Sequence, residues 1–268
     1  MKNAILVTLV ATLVVVKSAS GASLFTDNFN SYANGNLVGQ GPWAQTSTVT
    51  ATPVQASNGK VAVGTSGQDI YAPLTGGAYT IPDGSSFFIG LTLNLSAAQT
   101  TGDYFLHVTP TVGNTSIFTT RLFAKSSGAG FVLGYLENSG TGGAVNYGST
   151  VLSFNTDYRT VIAYNAVAGA LNDTASVYVN PSDLAVEGNN TAYISLDAWT
   201  TVSAESSTVA GINIRQGAAG SAPTLTVDDL AAGTLFGDVT VMPVPEPSTL
   251  ALTGLGLASL LVLRRRKN

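Results

Sequence analysis

Polar and apolar residues alternate with period two over most of the chain. Ile89, Leu91, Leu93 and Leu95 alternate with Gly90, Thr92 and Asn94, the pattern of a strand with one buried face. Similar runs recur at 104–109, 117–124, 131–137, 159–165, 175–180, 192–197, 209–215 and 224–230, separated by glycine-rich connections such as 126–130, 138–143 and 217–220. No window between 25 and 241 carries the 3.6-residue period of an amphipathic helix, and no repeat of fixed length recurs, which disfavours a solenoid or propeller. Many short strands with such turns predict an all-β fold, a two-sheet β-sandwich or jelly roll.

Both ends depart from this pattern. Lys2 is followed by residues 4–16, in which only Thr8 and Thr12 are polar, and then by the small residues of 18–23. That order predicts a secretory signal peptide cleaved between Ala22 and Ser23. At the other end, Pro245, Glu246 and Pro247 precede an uncharged run, 248–263, and a basic terminus of Arg264, Arg265, Arg266 and Lys267. Sixteen helical residues reach ~24 Å against a hydrocarbon core of ~30 Å, short for a span but within reach of snorkelling basic side chains. Small Thr253, Gly254, Gly256, Ala258 and Ser259 suit close helix packing in a membrane. The basic end then lies in the cytoplasm and the body outside. The expected organisation is a signal peptide (1–22), a sandwich ectodomain (23–240) and a tail (241–268) with one transmembrane helix (248–263) and a basic stop (264–267).

The tail, from Val244-Pro245-Glu246-Pro247-Ser248-Thr249 through the apolar run to the arginine cluster, resembles the PEP-CTERM sorting tail of Gram-negative bacteria. The resemblance implies recognition by an exosortase, cleavage near Pro-Glu-Pro, transient anchoring in the inner membrane, and delivery to the cell envelope or exopolysaccharide matrix. Signal peptidase and the exosortase are the implied processing partners. No Leu-Pro-x-Thr-Gly signal is present, and a GPI signal would end in its apolar stretch. Three body segments, Asp27-Asn28-Phe29-Asn30-Ser31-Tyr32 with Gly35-Asn36-Leu37, 158–161 through 175–181, and Ile214-Arg215-Gln216 with Val227-Asp228-Asp229-Leu230, resemble concanavalin A-like, laminin-G-like jelly rolls, with the Asp228-Asp229 pair expected to end a strand.

Composition narrows the chemistry. Charged residues make up 10% of the 268, and cysteine is absent, which rules out disulfides and zinc–thiolate sites and leaves stability to the core. The formal net charge of −4 hides a segregation: residues 23–243 hold five basic against fourteen acidic side chains, a net of −9. Nucleic acid is therefore not an expected partner.

No catalytic constellation stands out. Glycoside hydrolysis needs two carboxylates across a groove, and Glu137, Glu187, Glu205 and Glu246 have no acidic neighbour two residues away. His107 alternates with Leu106 and Val108 and is expected to be a hydrogen-bonded or solvent-facing strand histidine. Asp228 and Asp229 are candidates to give oxygens to Ca²⁺, yet adjacent strand residues point to opposite faces, so no cofactor is expected unless the strand ends there. Trp43, Tyr135 and Trp199, with Tyr147 and Tyr193, are candidates for glycan stacking, core capping being the alternative. Thr46, Thr48, Thr50 and Thr52 would share one face of an extended, solvent-facing segment. The leading expectation is a non-enzymatic envelope or matrix protein, structural or glycan-associated. A divergent polysaccharide hydrolase or lyase and a calcium-dependent adhesion module remain as alternatives.

Overall fold

The computed structural model describes residues 21–46, 51–137, 143–196 and 205–240. Strands β1 (Ser23–Asp27), β2 (Gly35–Asn36), β3 (Ala44–Gln45), β4 (Gln55–Ser57), β5 (Lys60–Val63), β6 (Ile70–Pro73) and β7 (Tyr79–Thr80) come first. The longer β8 (Ser86–Ala97), β9 (Asp103–Thr109), β10 (Thr120–Ser127) and β11 (Gly130–Glu137) follow, then β12 (Asn146–Tyr147), β13 (Tyr158–Asn165) and β14 (Thr174–Val179). The series closes with β15 (Ile194–Leu196), β16 (Thr208–Val209), β17 (Gly211–Ile214), β18 (Thr224–Gly233) and a short helix, α1 (Phe236–Thr240). The fold is thus an all-β two-sheet sandwich. One sheet runs β15-β14-β13-β8-β18-β5-β4-β2 with β1 also against β18, the other β12-β11-β10-β9-β17-β6-β3, and β7 pairs separately with β16.

The alternation seen in the sequence sets the inner faces. Leu91, Leu93, Leu95 and Ile162 of the first sheet pack with Leu106, Val108, Leu122, Leu133, Ile212 and Ile214 of the second in one continuous core, none more than 1% exposed. Each such side chain contributes about 1.5–3 kcal/mol when withdrawn from water, which stands in for the missing disulfides. A second, smaller cluster covers the outside of the nine-stranded sheet, where Phe88, Val161, Ala163, Tyr178 and Ala231 lie under Phe236 and Val239 of α1. Phe236 meets Phe88 and Tyr178 edge-on at 5.8 and 5.4 Å.

The Asp228-Asp229 pair does not end a strand, contrary to expectation. β18 bulges there and continues to Gly233: its register against β8 slips between Asp228 and Ala231, and Asp229 sits at φ +47°, the left-handed geometry of a bulge residue. The bulge lets one strand serve two partners on its other edge, β5 before it (225–227) and β1 after it (230–233). Arg159 holds the arrangement, since Nη1 donates to the Asp229 carbonyl at 2.8 Å and Nη2 donates to the Val239 carbonyl at the end of α1. Gly90 makes the docking of α1 sterically allowed, because a Cβ there would stand 1.9 Å from the Val239 carbonyl oxygen.

The chain entry is fastened by Asp27. Its Oδ2 accepts from Trp43 Nε1 (2.8 Å) and the Tyr32 hydroxyl (2.5 Å), and its Oδ1 accepts from the Phe29 amide (2.8 Å). Phe25 and Phe29 pack on the Trp43 ring, so the Asp27–Tyr32 segment is a structural knot at the edge of the core.

Gly90→Ala is expected to destabilise the fold by about 1–3 kcal/mol, the usual cost of forcing extra volume into a packed contact. Urea denaturation measures the loss, and hydrogen exchange at 236–240 is expected to accelerate more than exchange at 120–127.

Candidate functional site

The outer face of the seven-stranded sheet gathers aromatic rings and cations that lie far apart in sequence. Strand register aligns Tyr71, Asn213, His107 and Arg121 in one cross-strand row, and Tyr104, Phe123, Gly134 and Tyr147 in the next. Gly134 leaves space for the Tyr147 ring, since a Cβ there would stand 2.7 Å from ring carbons. Lys125 Nζ lies 3.9 Å from the Tyr147 ring centroid. The Arg215 guanidinium lies 4.2 Å from the centroid of Tyr104, and that of Arg121 lies 4.7 Å from Phe118. Arg215 is also tied to Asp103 at 2.8 Å and to Asp69 at 3.9 Å. Tyr104, Tyr147, Arg121, Lys125 and Arg215 are all half-buried, with part of each surface open to solvent. Such cation-on-ring pairs carry ~0.5–1 kcal/mol at exposed sites, enough to fix rotamers on a flat surface. Burial raises the hydroxyl pKa of both Tyr104 and Tyr147.

His107 belongs to this face but is neither hydrogen-bonded nor solvent-facing. It is 3% exposed and neither ring nitrogen has a partner among the described residues. Phe118 and Tyr104 close over it edge-on at 5.0 and 5.4 Å. Burial, then Arg215 and Arg121, push its pKa down to about 3, so the imidazole is neutral near pH 7 and serves as packing. The sequence pattern could not show this cover, because Phe118 arrives from the loop between β9 and β10.

The aromatics expected to contact glycan fare differently. Trp43 and Tyr135 are 2% and 0% exposed and cannot stack on a ligand. Trp43 is drawn into the core by Asp27 and the phenylalanines, and Tyr135 points between the sheets beside Leu122 in register. Trp199 lies outside the described residues. Tyr193 is partly buried at the sheet edge, its hydroxyl donating to the Thr150 carbonyl at 2.7 Å. Of the four that are described, Tyr147 alone stands on the open platform. Arg121, Lys125, Tyr104 and Arg215 were missed as a set; the available signal was Arg121-Phe123-Lys125 on one strand face within an acidic domain.

Acidic side chains meet at one pole of the sandwich. Asp173 is 3% exposed; its Oδ2 accepts from the Tyr164 hydroxyl and its Oδ1 from the Val167 amide at 2.7 Å. Glu205 Oε1 accepts from the Asp173 amide at 2.9 Å. Asp173 and Glu205 line an open pocket of about 380 Å³ with Asp83, Val167 and Ser207. Glu137, 1% exposed, points inward nearby, and neither of its oxygens makes a hydrogen bond of ordinary geometry. Burial, reinforced by Asp173 and Glu205, pushes its pKa up to about 8 against a weaker opposing pull from the Tyr164 hydroxyl.

At the Asp228-Asp229 pair, Asp228 Oδ1 accepts from the Asp229 amide at 2.8 Å inside the bulge. Among the described residues no three His, Asp or Glu side chains are placed to hold a metal. The threonine row is broken at Thr52, whose φ is +55°, while Thr48 and Thr50 lie outside the described residues. At the chain entry, Ser23 opens β1 opposite Gly233, and Ala22 exchanges hydrogen bonds with Thr234. Residues 1–20 and the motif residues Pro245, Glu246, Pro247 and Arg264 to Lys267 lie outside the described residues. Among those described, no helix is long and apolar enough to cross a membrane.

Residues 243–267 match the PEP-CTERM protein-sorting motif, which implies processing by an exosortase and an exported, cell-surface protein. No curated protein matches the chain. Among solved structures, it is similar to the CBM2 module of the evolved Dit of Lactobacillus casei BL23 phage J-1, at 10% identity and a TM-score of 0.49, covering 80% of this chain and 96% of that one. It is also similar to the potassium-bound carbohydrate recognition domain of Emp46p (12% identity, TM-score 0.45, 78% and 95% covered). A third similar structure is the endo-1,3-beta-glucanase from Streptomyces sioyaensis (10% identity, TM-score 0.41, 81% and 98% covered). At these scores no ligand or activity transfers, and the sandwich rests on its own strand order and register.

Two of the buried ionisable groups, His107 and Glu137, give opposite pH responses. His107, with its folded pKa below the unfolded value, contributes stability that is fully present above pH ~6.5 and lost as pH falls toward 3, on the order of 4 kcal/mol in all. His107→Leu is expected to remove that part of the acid sensitivity. Glu137, with its folded pKa raised, costs stability increasingly as pH rises from ~4.5 to 8, again on the order of 4 kcal/mol. Glu137→Gln is therefore expected to match the parent near pH 4.5 and exceed it at pH 8; parallel urea-denaturation profiles would contradict the assignment.

Proposed function

We propose that this chain is an exported, non-enzymatic surface protein whose sandwich associates with envelope or matrix glycan, and whose tail is an exosortase substrate. In this reading residues 1–22 are a signal peptide removed at Ala22–Ser23. Residues 248–263 span the inner membrane, Arg264 to Lys267 stop transfer, and cleavage near Pro245-Glu246-Pro247 frees the ectodomain. The observation that carries it is positional: the last described element ends at Thr240 and the sorting motif begins at residue 243, so the tail follows the closed sandwich with two intervening residues. β1 starting at Ser23 supports the same boundary at the other end, since cleavage there removes no strand residue and costs only the two hydrogen bonds between Ala22 and Thr234.

Several features favour a binding role over catalysis. Both Asp173 oxygens and Oε1 of Glu205 are engaged by backbone amides and Tyr164. Glu137 faces the inter-sheet interior, and its raised pKa keeps it largely protonated near pH 7. The open face with Tyr104 and Tyr147 offers ring surfaces of the type that stack on sugars.

Replacing Pro245-Glu246-Pro247 by three alanines in the native host is expected to abolish processing, leaving a product heavier by the unremoved tail and retained in the membrane fraction. Immunoblotting of membrane and released fractions checks this; unchanged size and release would remove the sorting reading.

A further inference from the structure

The charges of the ectodomain are divided between its two outer faces. Residues 23–243 carry only five cations against fourteen acids, yet Arg121, Lys125 and Arg215 all lie on the outer face of the seven-stranded sheet, beside Tyr104 and Tyr147. Among the described residues two acids accompany them, Asp103 and Asp69; both pair with Arg215, and the Asp103 carboxylate also acts on Arg121. Lys125 has no carboxylate within ion-pair distance among the described residues, and its ammonium rests on the Tyr147 ring. The opposite outer face is acidic. There Asp228 lies beside the bulge, Asp157 pairs with Lys60 at 3.6 Å, Glu187 accepts from Tyr178, and Asp238 sits in α1. Among the described residues the acids outnumber Lys60 and Arg159 on that face, so a polyanion is repelled there and meets the larger group of cations on the other.

We propose that this face binds an acidic glycan carrying carboxylates, with the Lys125 ammonium meeting an acid group and the solvent-open parts of Tyr147 and Tyr104 contacting the sugars beside it. This rests on the glycan-associated reading and specifies its ligand class. Arg121, Phe123 and Lys125 alternate on β10 with Leu122 and Ala124, which point into the core, so Lys125 stands on the outward parity of its strand. Guanidinium and ammonium groups form the stronger, charge-assisted hydrogen bonds with carboxylate. The sparse, widely set cations and the net charge of −9 favour a polysaccharide with spaced charges over nucleic acid, whose dense phosphates need a continuous basic surface.

The test is calorimetric titration of the full chain in detergent with alginate oligomers, neutral dextran oligomers and single-stranded DNA. Alginate is expected to bind, weakening roughly fivefold between 50 and 500 mM salt as screening grows, with DNA at least about tenfold weaker. Lys125→Glu is expected to weaken alginate roughly tenfold with an unchanged near-ultraviolet circular dichroism spectrum. Lys125→Gln is expected to give a smaller loss and serves if the charge reversal fails to fold. Binding of dextran but not alginate would overturn the acidic specificity and leave glycan association standing. Binding of neither overturns both, equal binding of DNA overturns the glycan assignment, and alginate binding unaffected by either Lys125 variant overturns the choice of face.

Discussion

Arg159 joins two backbone carbonyls that would otherwise be independent, that of Asp229 at the bulge of β18 and that of Val239 at the end of α1. Its guanidinium is largely buried, and burial lowers its pKa against the support of Asp229 and Asp228. A buried charge of this kind depends on its donors being used, and here Nη1 and Nη2 are engaged while Nε has no partner among the described residues. The bulge it holds allows β18 to take β5 on one stretch and β1 on the next. The chain's entry and the end of the described chain are thereby sewn to the same strand, and the last described element ends at Thr240. In the proposed reading the tail matched from 243 is cut beyond every described core residue.

The remaining polar features separate into structural and surface groups. Asp27 organises the Trp43 knot, Asp173 ties Tyr164 to the loop that follows β13, and His107 is held neutral under Phe118. These three groups are saturated or walled off. The outer face of the seven-stranded sheet differs: its rings and cations are only half covered, and Gly134 is the vacancy that lets Tyr147 lie flat.

How much of this was legible in the sequence depends on strand length and on what covers each face. The long alternating runs of β8, β9, β10 and β13 were visible because one inner face is apolar and the period repeats several times. β2, β3, β4, β7, β12 and β16, of two or three residues each, are too short to show a period. The Asp228-Asp229 pair was misjudged as a strand end because a bulge interrupts alternation just as a terminus does. Trp43 and Tyr135 were offered to solvent because aromatic type alone does not reveal side, and in β11 all eight residues are buried, leaving no contrast to read. His107 needed Phe118, a tertiary neighbour. The cation-bearing face was half legible, since Arg121 and Lys125 share a parity, but its Tyr104 and Arg215 partners come from register alone.

The central claim is that the mature protein is the sandwich itself, from Ser23 to the neighbourhood of Pro-Glu-Pro, separated from both targeting ends. Intact-mass measurement of the protein recovered from the surface of its native host tests this directly. The account predicts an N-terminus at Ser23 and a C-terminus at or near residues 245–247. A mass that retains residues 1–22, or that includes the 248–268 segment, would contradict it.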